Sequence, residues 1–366
     1  MNYDTLLTYP PFSLKKEEKS ALLMARLQFL TTHHIRNCEE YRHILQIVFS
    51  RTENEWEKLS DVSELPYLPV QLYKKLELRS VPEEDVFKTI TSSGTTGQQV
   101  SKIFLDKATA GYQQKTLVKI VSEFTGRTRM PMILLDCPSV IKNRAMFSAR
   151  GAGILGFSIF GTKKIYALDD NMKLNVAALK EFVEQYKGQP ILLFGFTYMI
   201  WQYVYKELKK SDHLIDLSDA VLIHGGGWKR LQDQAVSKEE FKSRLNDVCG
   251  IRKENIHDYY GMAEQTGCIS MECEYGHLHT SSYSDILIRR SRDFSLCDVG
   301  ESGMIQVISP IPESYPGHSI LTEDVGRILG EDDCPCGRKG KYFEVLGRIA
   351  HAEIRGCSDT FEGGRT

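Results

Sequence analysis

The chain has 366 residues, 42% of them hydrophobic and 26% charged, which suits a globular protein of more than one packed subdomain. Its 46 basic and 48 acidic side chains leave a net charge of −2, so the basic excess of a broad nucleic-acid surface is absent. No apolar run reaches the about 18 residues needed to span a bilayer, and the opening residues lack the basic-then-apolar order of a signal peptide, so the expected location is cytoplasmic.

Residues 15–58 read as helical. Leu22, Leu23, Ala25, Leu27, Phe29 and Leu30 are followed by Ile44, Leu45, Ile47, Val48 and Phe49 at near-helical spacing, with charges between them. Pro66, Pro69 and Pro82 then favour extended or turn segments. From about 90 to 270 apolar runs alternate with helical stretches. Residues 132–136, 191–196 and 220–227 read as buried strands, and 172–187, 198–210 and 237–248 as helices. This alternation predicts an α/β fold with ligands at the loops that end the strands. After 276 the texture changes, and 284–291, 303–310, 319–329 and 341–349 predict a smaller β-rich subdomain. The expected organisation is a helical region over 1–90 that packs on the core, an α/β nucleotide- and acyl-binding core over 91–275, a β-rich subdomain over 276–348 and a tail over 349–366. The last residues of that tail read as disordered.

The most informative segment is Thr91-Ser92-Ser93-Gly94-Thr95-Thr96-Gly97, set between two apolar stretches. Small hydroxyl residues and glycines in such a turn expose backbone N–H groups and hydroxyl donors, the groups that hold phosphate oxygens. Lys102 adds a positive charge nearby. No Lys-Ser/Thr pair follows Gly97, so this is not the P-loop of the GxxxxGK[ST] type. The same composition also suits a polar hairpin tip.

Four later segments extend the pattern: Gly225-Gly226-Gly227 after a strand, Tyr260-Gly261-Met262-Ala263-Glu264, Thr322-Glu323-Asp324, and Gly347-Arg348. With the hydroxyl-rich loop, and in this order, they resemble the motifs of the adenylate-forming superfamily, which includes acyl-CoA synthetases, luciferase-like enzymes and nonribosomal adenylation domains. The resemblance implies an α/β large-domain fold with helix-flanked sheets, and ATP and Mg²⁺ as cofactors. It implies that Ser92, Ser93, Gly94, Thr95, Thr96 and Gly97 hold phosphates and that Gly225, Gly226 and Gly227 border adenine. Tyr260, with Gly261 beside it, offers a flat face to adenine. Glu264 is a hard oxygen ligand for Mg²⁺. Asp324 accepts ribose hydroxyls, and Arg348 donates to ribose or phosphate.

Within the superfamily the chain most resembles the LuxE-type acyl-protein synthetases, through residues 38–44, 68–78, 91–97, 224–229 and 355–358. Residues 272–279 and 334–338 are similar to the phenylacetate-CoA ligase branch. Most of the superfamily carries a further C-terminal lid domain that supplies a lysine to the adenylation step. This sequence ends 18 residues after Arg348, so the lid is expected to be absent and its lysine has no matching position. Either Lys102 or a cation from a partner protein replaces it, or adenylation is slow. In LuxE-type enzymes a cysteine near the C-terminus accepts the acyl group, and Cys357 in Arg355-Gly356-Cys357-Ser358 matches that place. A thiolate there, favoured by Arg355, can attack an acyl-adenylate. An ordinary tail cysteine is the other reading.

Nine cysteines without an export signal do not suggest a disulfide framework. Cys273, His279, Cys334 and Cys336 form a C-x₅-H…C-x-C set, and three thiolates with one imidazole make a closed, structural zinc site. His277 and Cys268 are alternative ligands, and reduced cysteines in β-turns are the plain alternative. Residues 194–198 and 147–153 combine aromatic bulk with small side chains, which suits either an apolar acid pocket or core packing.

The expected reaction activates a carboxylic acid, a fatty acid by the resemblance, and passes the acyl group to a thiol. The acceptor is Cys357 or a partner protein, an acyl carrier protein or coenzyme A. A nucleotide-binding partner subunit with reduced chemistry is the alternative from another class. Neither a nucleic-acid partner nor a membrane span is expected.

Overall fold

The computed structural model describes residues 3–51, 53–92, 100–126, 128–141, 149–210 and 215–349. The chain forms two compact units. The first comprises residues 1–90, 101–126 and 260–352, and the second 91–100, 127–259 and 353–366. The N-terminal helical region and the β-rich region of the sequence therefore belong to one unit.

The first unit opens with a long helix, Lys16–Asn37, which buries Leu23, Leu27, Leu30 and Ile35. Glu17 and Glu18 in its first turn and Arg36 in its last oppose the helix dipole favourably. The chain turns extended at Cys38, and a second helix, Glu39–Phe49, ends at Ser50 with a left-handed φ of 52°. The stretch that reads as helical over 15–58 is thus broken twice. The long helix also buries four polar side chains, Lys19, Arg26, Thr31 and His34, each with a partner far along the chain. Lys19 Nζ donates to Thr280 Oγ1 at 2.9 Å and lies 3.7 Å from Asp285 Oδ1. Arg26 Nε donates to the Pro310 carbonyl at 3.3 Å. His34 meets the Ser80 hydroxyl at 2.8 Å and stacks on His318 with ring centroids 5.1 Å apart.

Strand β1 (Leu68–Pro69) is followed by β2 (Lys88–Thr91) and β3 (Lys102–Leu105), which pair with each other. The second unit then supplies β4 (Met130–Leu134), β5 (Gly161–Tyr166), β6 (Leu192–Phe196), β7 (Val221–Gly225) and all but the last residue of β8 (Ile256–Tyr260), Tyr260 being counted with the first unit. All their pairings are parallel, in the order β5-β4-β6-β7-β8. Every residue of β4 and β6 is buried, as expected for parallel strands covered on both faces. Leu179, Phe182, Trp201, Phe241 and Leu245 from the helical stretches pack against Ile133, Leu193 and Leu222 of this sheet. The helix Lys238–Cys249 is capped by Ser237, which accepts from the Glu240 N–H, and stops at Gly250 with φ 73°.

The chain returns to the first unit with β9 (Ser270–Glu272), β10 (Leu278–His279), β11 (Asp285–Arg289), β12 (Gly303–Ile308), β13 (Ser319–Glu331) and β14 (Lys341–Arg348). Their order is β11-β12-β13-β14-β10-β9 with antiparallel pairing throughout, and β1 pairs parallel to β13. Leu278, Ile286, Ile288, Ile305 and Phe343 form the core of this sheet. The tail beyond 349 lies outside the described residues.

Candidate active site

In the first unit, Tyr260 ends β8, and a short 3₁₀ turn, Ala263–Gln265, follows. Glu264 in that turn is fully buried. Ser101 Oγ donates to its Oε1 at 2.7 Å, and the Tyr315 hydroxyl donates to its backbone carbonyl at 2.9 Å. Next to it, Gln265 Nε2 donates to the carbonyls of Gly317 at 2.8 Å and Val307 at 3.2 Å, which fixes the turn. A buried carboxylate held beside a hydroxyl suits Mg²⁺, which takes hard oxygen ligands and usually only one or two protein carboxylates.

Tyr260, Asp324 and Arg348 meet in one polar node. The Tyr260 hydroxyl donates to Asp324 Oδ2 at 2.8 Å, and Arg348 Nε lies 3.5 Å from Asp324 Oδ1. The register of β13 on β14 places Asp324 opposite Arg348. Each residue of Thr322-Glu323-Asp324 has a part. Thr322 Oγ1 donates to the Ile305 carbonyl at 2.8 Å and accepts the Asp324 N–H at 3.1 Å. Glu323 pairs with Arg348 and accepts from Gln71 Nε2 at 2.5 Å. Tyr260 also stands edge-on to Phe343, with ring centroids 5.9 Å apart. The arrangement offers carboxylate acceptors and a guanidinium donor beside an aromatic ring, which is what ribose and adenine require.

In the second unit, Gly225 closes β7, and the three glycines have two distinct reasons. A Cβ on Gly225 would come 2.7 Å from the Tyr259 ring, so only glycine fits there. Gly226 and Gly227 take φ of 81° and 63°, the left-handed region that glycine tolerates. Thr197 Oγ1, just past β6, donates to the Gly225 carbonyl at 3.2 Å and lies 3.0 Å from His224 Nδ1. Phe157 stacks on Phe194 at 4.0 Å, and both rings approach Tyr259, at 5.3 and 6.3 Å. A Cβ on Gly153 would be 2.9 Å from the Phe196 ring. Of the stretch 147–153, Phe147 and Ser148 lie outside the described residues, and Gly153 approaches the rings of the 194–198 segment.

Beside these rings stand Asp136, which was not singled out from sequence, and Arg150, which lies within the 147–153 stretch. Asp136, fully buried after β4, lies 3.1 Å from Arg150 Nε, and Arg150 is largely buried too. Burial works against the charge on Arg150, but Asp136, Tyr198 and Cys137 together outweigh it, so the guanidinium stays protonated. An aspartate directly after an apolar strand was the available signal.

Ser92 is buried, whereas Ser93, Gly94, Thr95, Thr96 and Gly97 lie outside the described residues, as does Cys357. Lys102 stands half-exposed on β3, with its Nζ 2.8 Å from Glu77 Oε1. Gly261 follows Tyr260 in the turn toward Glu264.

Cys273, His279, Cys334 and Cys336 converge in the first unit, their ligand atoms all within 4.8 Å of one another. His277 Nδ1 lies 3.3 Å from Cys334 Sγ, outside that group of four. Cys268 is elsewhere: its thiol donates to the Tyr283 carbonyl at 3.1 Å. Burial pushes the Cys334 thiol up to about 12.

The chain matches the family described as acyl-protein synthetase, LuxE, over residues 2–364. It is 25% identical over 362 residues to the long-chain-fatty-acid–luciferin-component ligase of Aliivibrio fischeri, covering 95% of this chain and 88% of that protein. The corresponding ligase of Vibrio harveyi is 21% identical over 363 residues, with 97% and 91% covered. Among solved structures, 2-hydroxyisobutyryl-CoA ligase in the postadenylation state superposes with a TM-score of 0.71 at 14% identity, over 92% of this chain and 69% of that one. That likeness shows the fold, the large-domain architecture of adenylate-forming enzymes. No described helix is long and apolar enough to cross a membrane. The chain belongs to the LuxE family of acyl-protein synthetases, adenylate-forming ligases that activate an acid with ATP.

Proposed function

We propose that this chain joins a fatty acid to AMP and then transfers the acyl group to a protein thiol, with Cys357 as the first acceptor. The observation that carries the reading is the node of Tyr260, Asp324 and Arg348, with Tyr260 only four residues ahead of the buried Glu264. The fatty acid and the protein acceptor come from the names of the two bacterial relatives and of the family. In the first step a carboxylate oxygen of the acid attacks the α-phosphorus of ATP and pyrophosphate leaves. In the second the Cys357 thiolate attacks the acyl carbon, and AMP leaves with the electron pair of the broken C–O bond.

Tyr260 would offer its ring face to adenine, Gly225, Gly226 and Gly227 would serve as adenine-binding residues, Asp324 would accept the ribose hydroxyls, and Arg348 would donate to ribose or phosphate. Ser92, Ser93, Gly94, Thr95, Thr96 and Gly97 would hold the phosphates. Lys102 would supply a cation to the reaction, since an exposed partner such as Glu77 holds it only weakly. Glu264 would hold Mg²⁺, which supplies charge neutralisation on the phosphates when bound. The cysteine–histidine cluster would hold a structural Zn²⁺. The acid's chain would lie against Phe157, Phe194, Phe196 and Tyr259. Free thiols at Cys273, Cys334 and Cys336 suit a cytoplasmic setting.

Incubation with ATP, Mg²⁺ and acids from short aliphatic to long-chain and aryl is expected to release pyrophosphate fastest with long-chain acids. Absence of acid-dependent release across the whole panel would refute activation.

An external thiol, coenzyme A or a carrier protein, is the second reading, favoured by the coenzyme A ligase among the structural relatives. The Cys357→Ser variant separates the two. It is expected to keep acid-dependent pyrophosphate release and to lose acyl label from the protein. Unchanged thioester yield with added coenzyme A would favour the external acceptor.

A further inference from the structure

The four ligand-type side chains of the first unit come from two hairpins. Cys273 directly follows β9 and His279 lies in β10, while Cys334 and Cys336 sit in the turn between β13 and β14. A tetrahedral zinc with Zn–S bonds of about 2.3 Å sets its sulfurs roughly 3.8 Å apart. A set already within 4.8 Å needs side-chain shifts of about an ångström to reach that. The three cysteines are free thiols, and all of the set except Cys336 are buried. Three thiolates and an imidazole leave no open coordination position, so the chemistry is structural. Tyr342 stacks on both neighbouring imidazoles, on His277 at 4.9 Å and on His279 at 5.6 Å.

The β13–β14 hairpin links this cluster to the polar node. Its pairing runs from Glu331↔Lys341 beside the turn to Asp324↔Arg348 at the far end. The register shifts twice on the way, at Val325/Gly326 and at Ile328/Gly330. Both glycines are forced by close packing: a Cβ on Gly330 would be 2.4 Å from the Tyr342 hydroxyl, and one on Gly326 2.5 Å from the Glu344 carbonyl. Glycine-containing strands specify register weakly, and a one-residue slip turns every side chain of a strand to the other face. A slip in β13 would remove Asp324 from Arg348 and from the Tyr260 hydroxyl.

We propose that a zinc ion in this cluster locks the register of β13 on β14 and thereby sets the pairing of Asp324 with Arg348. The proposal rests on the reading of Asp324 and Arg348 as nucleotide-binding residues for its functional meaning, though not for its structural content. Through Cys334 and Cys336 the ion fixes the turn; through Cys273 and His279 it fixes the β9–β10 hairpin. That hairpin pairs with β14 at Leu278↔Phe343 and His279↔Tyr342. One ion therefore refers the turn and the strand beside β14 to a single point. The Tyr260–Asp324 hydrogen bond closes the opposite end of the strand pair.

The test measures metal content and hydrogen exchange on the full chain. Protein purified without added metal is expected to carry about one equivalent of zinc. Stripping it with a chelator is expected to speed amide exchange in 319–331 and 341–348 about tenfold or more, through the Asp324–Arg348 end, and added zinc should restore protection. Exchange in β4, β6 and β7 should not change. The double variant Cys334→Ser/Cys336→Ser should behave as the stripped protein, with Cys297→Ser as the control that keeps zinc. If the double variant does not fold, stripping and restoring the unaltered protein decides the matter. Less than about half an equivalent of zinc overturns the proposal, as does unchanged exchange around Asp324 after zinc is lost. Zinc-dependent exchange without pyrophosphate release for any acid would refute activation and leave the lock standing. Pyrophosphate release with exchange indifferent to zinc would do the reverse.

Discussion

Replacing Glu264 by Gln is expected to slow acid-dependent pyrophosphate release by about 10²- to 10³-fold, with little change in thermal stability. The side chain is fully buried and accepts from Ser101 at 2.7 Å. Glutamine keeps the shape and an oxygen acceptor, so the hydrogen bond to Ser101 can persist. What it removes is the negative charge aimed at a hard divalent cation. Losing one preorganised electrostatic contact to a transition state costs about 2.7–4 kcal/mol, which corresponds to that range of rates. The loss should fall mainly on kcat, because charge on the phosphates grows as pyrophosphate departs, whereas ATP affinity depends more on the Tyr260–Asp324–Arg348 node. Measurement of kcat and KM for ATP in the pyrophosphate assay, beside a thermal melt, checks this. A variant within twofold of the unaltered protein in kcat would remove Glu264 from the metal-binding role.

The features legible in the sequence are those carried by local pattern. Strands β4 and β6 are buried on both faces, so they stand out as unbroken apolar runs. Gly225, Gly226 and Gly227 could be picked out because close approach to Tyr259 and two left-handed φ angles allow few other residues. The cysteine–histidine set could be read from spacing, because each hairpin supplies two ligands close together in the chain. Contacts between distant segments leave no such trace. Ser101 and Glu264, 163 positions apart, are joined by one hydrogen bond that neither local sequence announces. Asp136 and Arg150 form a buried pair only because β4 and the helix Ala149–Phe157 come together. The long helix Lys16–Asn37 is the clearest case. Its buried face includes Lys19, Arg26 and His34, which blur the apolar stripe, and their partners Thr280, Pro310 and Ser80 lie far along the chain.

Those buried histidines set an acid limit on stability. His34 and His318 are both essentially inaccessible, and their rings stack. His34 Nε2 lies 3.2 Å from the Pro312 carbonyl and its Nδ1 2.8 Å from the Ser80 hydroxyl, while His318 Nε2 lies 3.0 Å from Thr31 Oγ1. Tyr41 stands edge-on to both rings, and the neighbouring charges are His33 and Arg26. Burial, with smaller contributions from His318, His33 and Arg26, holds His34 well below the usual histidine range. Burial, with His33, holds His318 down to about 3. In the unfolded chain both take a proton near pH 6.5. Below that pH the unfolded state binds more protons than the folded one, so the stabilisation is complete above about pH 6.5 and declines as the pH falls toward the folded values. Each histidine contributes a slope of up to about 1.4 kcal/mol per pH unit, so by pH 5 the pair can remove roughly 4 kcal/mol. Against a total stability of about 5–15 kcal/mol that is a large share. Melting temperatures measured from pH 7.5 to 5.0 should fall steeply, and His318→Gln, which cannot titrate, should fall about half as steeply. Acid also releases zinc from thiolates, so the quantity to read is the difference in slope between the unaltered protein and the variant under the same metal conditions. Equal slopes would show that His318 titrates normally and that its burial carries no linked stability.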